Sequence, residues 1–195
     1  MIRISSLLFF LGFLESQNYP DFEVLHFDNP HSSSLFLHTM SEQNRFMAII
    51  DSGLDVQWHV RSNYMGLDFK VNQNYLTYYN KIEGSWILAN QMMNEVDTLM
   101  CEGSYVADYH DIQILENGNY LLQAYDSSFV DMSTIIDGGQ SVAWITGILV
   151  IQMLDINHEL ILEWNAWDHL DISQYTNLNL QSDAIEWMHG NSIEW

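Results

Sequence analysis

From residue 35 onward, apolar positions fall in short runs, not at helical spacing. Runs rich in Ile, Val, Tyr, Trp and Phe are cut by Asn, Gly, Asp and Ser. Short runs of β-branched and aromatic residues between turn formers are the mark of strands. The pattern predicts strands at 35–39, 46–51, 55–60, 67–71, 75–80, 86–90, 95–101, 111–115, 120–126, 143–155 and 159–164. Asp51-Ser52-Gly53 and Glu116-Asn117-Gly118-Asn119 supply residues that tolerate positive φ, as tight hairpins require. Two segments, 129–141 and 168–185, read as insertions, and one short helix is expected at 182–188.

The strands repeat in a fixed order. Leu67-Asp68-Phe69-Lys70-Val71, a polar turn, then Asn74-Tyr75-Leu76 matches Asp111-Ile112-Gln113-Ile114-Leu115, a polar turn, then Asn119-Tyr120-Leu121. The second copy starts about 43 residues after the first, inside the roughly 40–50 residues of a four-stranded blade. A second hairpin type alternates with it. Ala48-Ile49-Ile50-Asp51 leads to Val56-Gln57-Trp58, and Ile151-Gln152-Met153-Leu154-Asp155 leads to Leu162-Glu163-Trp164, with a looser copy from Trp86 to Met100. Two hairpins make four antiparallel strands, so the expected fold is all-β: a β-propeller, with about three blades present. A third polar-opening hairpin is expected to begin at His189-Gly190-Asn191-Ser192-Ile193, and its partner strand would lie past Trp195. The expectation is therefore an N-terminal part of a longer protein.

Composition narrows the partners. Twenty-six acidic residues face five basic ones in a chain of 195, a formal charge of −21. Too few cations are present to neutralise a nucleic-acid backbone or to hold an anionic membrane surface. Arg3, the apolar run from Ser6 to Leu14, and Ser16-Gln17 read as a signal peptide over 1–16. The remainder, 17–195, is then an exported propeller domain, periplasmic, cell-surface or extracellular. No later run reaches the length of a membrane-spanning helix. The single cysteine, Cys101, reads as a small apolar strand residue.

Of eight histidines, three have a context that repeats or adjoins a motif. His110 opens one hairpin, His189 holds the corresponding place in the next, and His169 follows a Trp-closing strand. Equivalent places in successive blades converge near a propeller axis. His110 and His189 are therefore the candidate catalytic residues, with His169, Asp111 and Asn191 as weaker substrate-binding candidates. Converging imidazoles can act as a nucleophile, a proton carrier or an anion clamp. A metal site built from His110, His169 and His189 with Asp111 or Asp168 has no known ligand spacing behind it, and neither a metal nor a cofactor is expected.

Tyr109-His110-Asp111-Ile112 with Asn117-Gly118-Asn119-Tyr120-Leu121-Leu122, then Trp167-Asp168-His169, then His189-Gly190-Asn191-Ser192-Ile193, resembles the motif series of the bacterial aryl-sulfate sulfotransferase family. Gly138-Gly139 through Ile148, Val150, Gln152, Leu154 and Asp155 is similar to a connecting stretch of that family. The resemblance implies a six-bladed propeller. It also implies transfer of a sulfuryl group from a phenolic sulfate ester to a phenolic acceptor through a sulfurylated histidine. By motif, His110 and His189 match the two histidines that hold the sulfate. The family's arginine and nucleophilic histidine would fall past Trp195, so this chain alone is expected to be inactive. The alternative is a non-catalytic exported propeller that binds a partner or serves as a scaffold.

Overall fold

The computed structural model describes residues 19–28, 31–39 and 45–195. The expected signal peptide lies outside the described residues. The described residues are all-β and form three sheets, antiparallel except for one short parallel strand. The first holds β1 (Leu35–His38), β2 (Phe46–Ile50) and β3 (Val56–Arg61). The second is the meander β4 (Met65–Asn72), β5 (Tyr75–Asn80), β6 (Ser85–Ala89) and β7 (Glu95–Leu99). The third is the meander β8 (Ala107–Ile114), β9 (Tyr120–Val130), β10 (Ala143–Leu154) and β11 (Leu160–Asn165). Each expected strand is present, with bounds moved by a few residues. Each polar-opening hairpin joins the Trp-type hairpin that follows it in one four-stranded sheet.

The middle sheet shows why these runs are strands and not helices. Successive side chains on a strand point to opposite faces. Along β5 and β6, Tyr79, Trp86 and Leu88 turn toward the third sheet, where they meet Ile112, Tyr120, Leu122 and Val150. Leu76, Tyr78, Ile87 and Ala89 turn the other way and meet Met47, Phe36 and Trp58 of the first sheet. The register sets Tyr79 opposite Trp86 and Tyr78 opposite Ile87. Both faces are covered, so β5 and β6 are apolar almost throughout, as in strands buried on two sides. A one-residue slip would exchange the two faces.

The 182–188 helix does not form. Ala184–Glu186 is instead a strand, β12, parallel to β10. The reason is backbone supply. β10 is twelve residues long, and β11 pairs only with its C-terminal end, from Val150 on. The N-terminal end, Trp144–Thr146, offers an open edge, and β12 takes it. The two insertions form one small core on this end, where Met132, Ile145, Ala166, Ile172, Ile185 and Trp187 pack together. They hold two 3₁₀ turns and the four-residue helix α1 (Ala166–His169). Residues 189–195 contain no regular strand. Among the described residues, no helix is long and apolar enough to cross a membrane.

Candidate functional site

The site is built on a fault in one ladder. β8 pairs with β9 at Ala107–Ala124 and next at Ile112–Leu122. Asp108, Tyr109, His110 and Asp111 therefore stand opposite a single residue, Gln123. An enlarged bulge of this kind re-aims side chains out of the sheet. Its backbone is tied down from the middle sheet. Tyr79 Oη donates to the Ala107 carbonyl at 2.6 Å, and Trp86 Nε1 donates to the Asp108 carbonyl at 3.0 Å. Tyr79 and Trp86 are 4% and 0% exposed, so the anchor points are rigid.

Within the bulge, Asp108 Oδ1 accepts the His110 backbone N–H at 2.9 Å and lies 2.7 Å from His110 Nδ1. Gln123 Nε2 donates to the same oxygen at 3.4 Å. The carboxylate fixes the ring, and Nε2 is the nitrogen left to face a ligand. Tyr109 stacks on the His110 ring, with centroids 4.2 Å apart.

His189 reaches the same place by another route. Beyond β12, Trp187 N–H donates to Thr146 O at 2.9 Å and Met188 N–H to Gly147 O at 3.1 Å. Gly147 has φ +67°, and a Cβ there would lie 2.5 Å from Met188 O. Only glycine suits that crossing. Gly190 N–H then donates to Tyr125 Oη at 2.6 Å. The outcome is an imidazole pair: the His110 and His189 rings are 4.6 Å apart and nearly perpendicular. His189 is exposed and His110 half-buried.

Asp111 faces the neighbouring sheet. It forms an ion pair with Lys70, which also holds Asp68 at 2.6 Å, and its Oδ2 accepts the Ile193 N–H at 2.9 Å. Asp111 thus joins β4, β8 and the segment after His189, whereas the carboxylate on His110 is Asp108. Burial pushes Asp68 above the usual carboxylate range, against the pull of Lys70. Burial also opposes the Lys70 charge, but the bonds to Asp111 and Asp68 outweigh it and hold the ammonium above its ordinary value. The Tyr79 hydroxyl is pushed up to about 12 by burial, with Asp108 and Cys101 adding to it.

The remaining candidates stand apart. His169 ends α1 with its ring parallel to Trp164, centroids 5.5 Å apart. Asn191 is exposed. Among the described residues, no three His, Cys, Asp or Glu side chains are grouped so as to hold a metal ion. The sequence reading missed Asp108, Lys70, Gln123, Tyr125 and Gly147. One signal was present: an Asp two residues before a His is the spacing of a local side-chain turn onto the backbone. Neither a family model nor a curated protein matches the chain.

Proposed function

We propose that the sheets are blades of a β-propeller, and that the His110–His189 pair holds the sulfuryl group of an aryl sulfate ester for transfer to a phenol. The observation that carries this reading is the convergence of two imidazoles far apart in sequence, His110 from the bulge in β8 and His189 from the strandless segment after β12. Two ring N–H groups set nearly at right angles suit two oxygens of one tetrahedral group. In the first half-reaction the bond from sulfur to the phenolic oxygen breaks, a sulfur–nitrogen bond forms on a nucleophilic histidine, and the phenolate leaves with a proton from the site. In the second, the acceptor phenol oxygen attacks sulfur, the sulfur–nitrogen bond breaks, and the phenol proton is lost to a base. On this reading His110 and His189 hold the ester, and the nucleophilic histidine is a further residue beyond the pair. Export belongs to the same reading, since it rests on the signal-like start.

One observation favours the non-catalytic alternative. Asp108 binds the His110 ring, Asp68 lies near enough to feel its charge, and Lys70 is engaged by Asp68 and Asp111. An anion would gain from the site only when the imidazoles carry charge.

Calorimetric titration with 4-nitrophenyl sulfate separates the two. Saturable binding that strengthens as pH falls and that is lost in His189→Ala supports the sulfuryl site. An unchanged isotherm in that variant, or no binding at any pH, leaves the scaffold reading.

A further inference from the structure

His189 owes its place to the backbone that follows it, and side chains, not a ladder, hold that backbone. Asp111 Oδ2 accepts the Ile193 N–H at 2.9 Å, and Gln113 Oε1 accepts the Trp195 N–H at 3.0 Å. Nearer the histidine, the Tyr125 hydroxyl takes Gly190. β8 is seated on the second sheet in the same manner. Lys70 pairs with Asp111, Asn72 Nδ2 donates to the Ile112 carbonyl at 2.9 Å, and Asn72 Oδ1 accepts the Ile114 N–H at 3.2 Å. Tyr79 donates to the Ala107 carbonyl. One arrangement thus serves both histidine-bearing segments: two polar side chains, two residues apart on the first strand of a sheet, and one phenol from its second strand.

Tyr125 does more than Tyr79. Its hydroxyl accepts the Gly190 N–H at 2.6 Å and donates to the Gly190 carbonyl at 3.3 Å. A hydroxyl carries one donor and two acceptor lone pairs, so a phenol can hold both groups of one residue at once. Phenylalanine would keep the ring and lose both bonds. The backbone must also come close. A Cβ at Gly190 would lie 2.5 Å from Gln123 Oε1 and 3.4 Å from Tyr125 Oη, so only glycine seats there without displacing its neighbours.

The two imidazoles are aimed by different means. The His110 ring is held directly, by Asp108 at Nδ1. Among the described residues, nothing hydrogen-bonds to the His189 ring, so its direction depends on its backbone. That backbone is fixed one residue away on each side. Met188 N–H is bound to Gly147 O, and Gly190 is bound to Tyr125. The second of these ties is a single hydroxyl.

We propose that Tyr125 is the positioning residue of His189: its hydroxyl fixes the Gly190 peptide and thereby the direction from which the imidazole meets His110. The consequence for ester binding rests on the sulfuryl reading of the pair, whereas the positioning of the ring does not.

The test is Tyr125→Phe in the whole chain, with two readouts. Proton NMR follows the through-space contact between the His110 and His189 rings, and calorimetric titration follows 4-nitrophenyl sulfate. The ring contact should be lost, and the ester should bind about tenfold more weakly, the equivalent of one hydrogen-bonded contact. Tyr78→Phe is the control. It removes another phenol's bond, from Tyr78 Oη to Glu95 at 2.7 Å, on the face of the second sheet turned toward the first. Its stability should fall by a similar amount, with ring contact and affinity unchanged. Gly190→Ala leaves the hydroxyl in place and lifts the peptide off it, so it should also separate the rings. A ring contact that persists in Tyr125→Phe overturns the proposal. So does equal loss of the contact in Tyr78→Phe, which would mark a general loosening of the sheets. Loss of the contact in Tyr125→Phe, in a protein that binds no 4-nitrophenyl sulfate even unaltered, supports the positioning role and removes the sulfuryl reading instead.

Discussion

The hairpins β4–β5 and β8–β9 start from nearly the same sequence pattern and end in different uses. Both open with an Asp-containing alternating strand, cross a polar turn, and continue with Asn-Tyr-Leu. Both ladders are interrupted, but by different amounts. In β4 the register slips by one residue at two places, between Met65 and Leu67 and again between Leu67 and Lys70, where Asp68 stands at φ +49°. In β8 four residues stand opposite one. The small bulge only tucks a carboxylate against Lys70. The large one lifts His110 off the sheet to meet His189. The lesson is local: the repeated core tolerates extra residues in a strand when a neighbouring sheet can tie down the displaced backbone.

The largest break in this comparison is expected at Trp86. It is fully buried, packs against Tyr79 at 5.5 Å, and carries the hydrogen bond to the Asp108 carbonyl. Trp86→Ala should cost about 3–5 kcal/mol, the usual range for emptying a large aromatic site. That is a large share of the total stability of an ordinary domain. Chemical denaturation measures it. Trp86→Phe keeps most of the packing and removes the bond to the bulge, so its effect should fall mainly on ligand binding at His110. A loss below about 1 kcal/mol in Trp86→Ala, the low end for core substitutions, would mean that the two sheets are not packed as described.

Gly147 comes next, because it carries the second histidine to the first. A Cβ there would meet the Met188 carbonyl oxygen at 2.5 Å, at a backbone angle of +67°. Gly147→Ala should cost about 1–3 kcal/mol in strain. It should also separate the imidazoles, seen as loss of the through-space contact between the His110 and His189 rings in proton NMR. Gly103 is the control. Its φ is +78°, but nothing lies within 4 Å of its would-be Cβ. Gly103→Ala should show strain alone, with the ring contact intact. Equal loss of the contact in both variants would remove Gly147 from any positioning role.

Much of this architecture was legible in the chain, and the gaps have physical causes. Period-two alternation gave the strands because each sheet buries residues according to side. The pairing of hairpins into sheets followed from the repeat, which the topology bears out as four-stranded meanders. The tail segment at 182–188 was misread because Ala184, Ile185 and Trp187 sit at a spacing that suits a helix turn as well as a strand. The open edge of β10 decided between them, and edges are invisible in sequence. Asp111 is a substrate-binding candidate by sequence, but the bulge turns it toward Lys70 and folds Asp108 back onto the His110 ring.

Asp108→Asn sharpens the same point at smaller cost. The amide keeps an acceptor for the His110 backbone N–H and loses the charge beside Nδ1. A loss of about 1 kcal/mol is expected, the net worth of one hydrogen bond to a charged group or somewhat less. The informative readout is the affinity for 4-nitrophenyl sulfate at one fixed pH. If Asp108 fixes the His110 ring, the variant should bind the ester more weakly. An unchanged affinity would mean that the ring is held without the carboxylate.

The smallest expected effect at neutral pH belongs to Tyr79, and it tests the tie between the two hairpins most directly. Its hydroxyl, in β5 of the first hairpin, donates to the Ala107 carbonyl at the start of the bulge in the second. Tyr79→Phe removes that bond with little change in shape and should cost about 1 kcal/mol near pH 7. The pH dependence then gives the sign. Burial pushes the hydroxyl up to about 12 in the folded protein, above its ordinary value of 10.0. The folded state therefore keeps the proton longer than the unfolded chain does, and unfolding releases it as pH rises past 10. The stability that the hydroxyl contributes is fully present below pH 10 and is lost as pH climbs through the folded value. Thermal melts of the two proteins should therefore differ by a constant amount up to about pH 10 and converge toward pH 12. Other tyrosines titrate in both proteins and cancel in the difference. A gap that stayed constant to pH 12 would mean that the Tyr79 hydroxyl is not buried against the bulge as described.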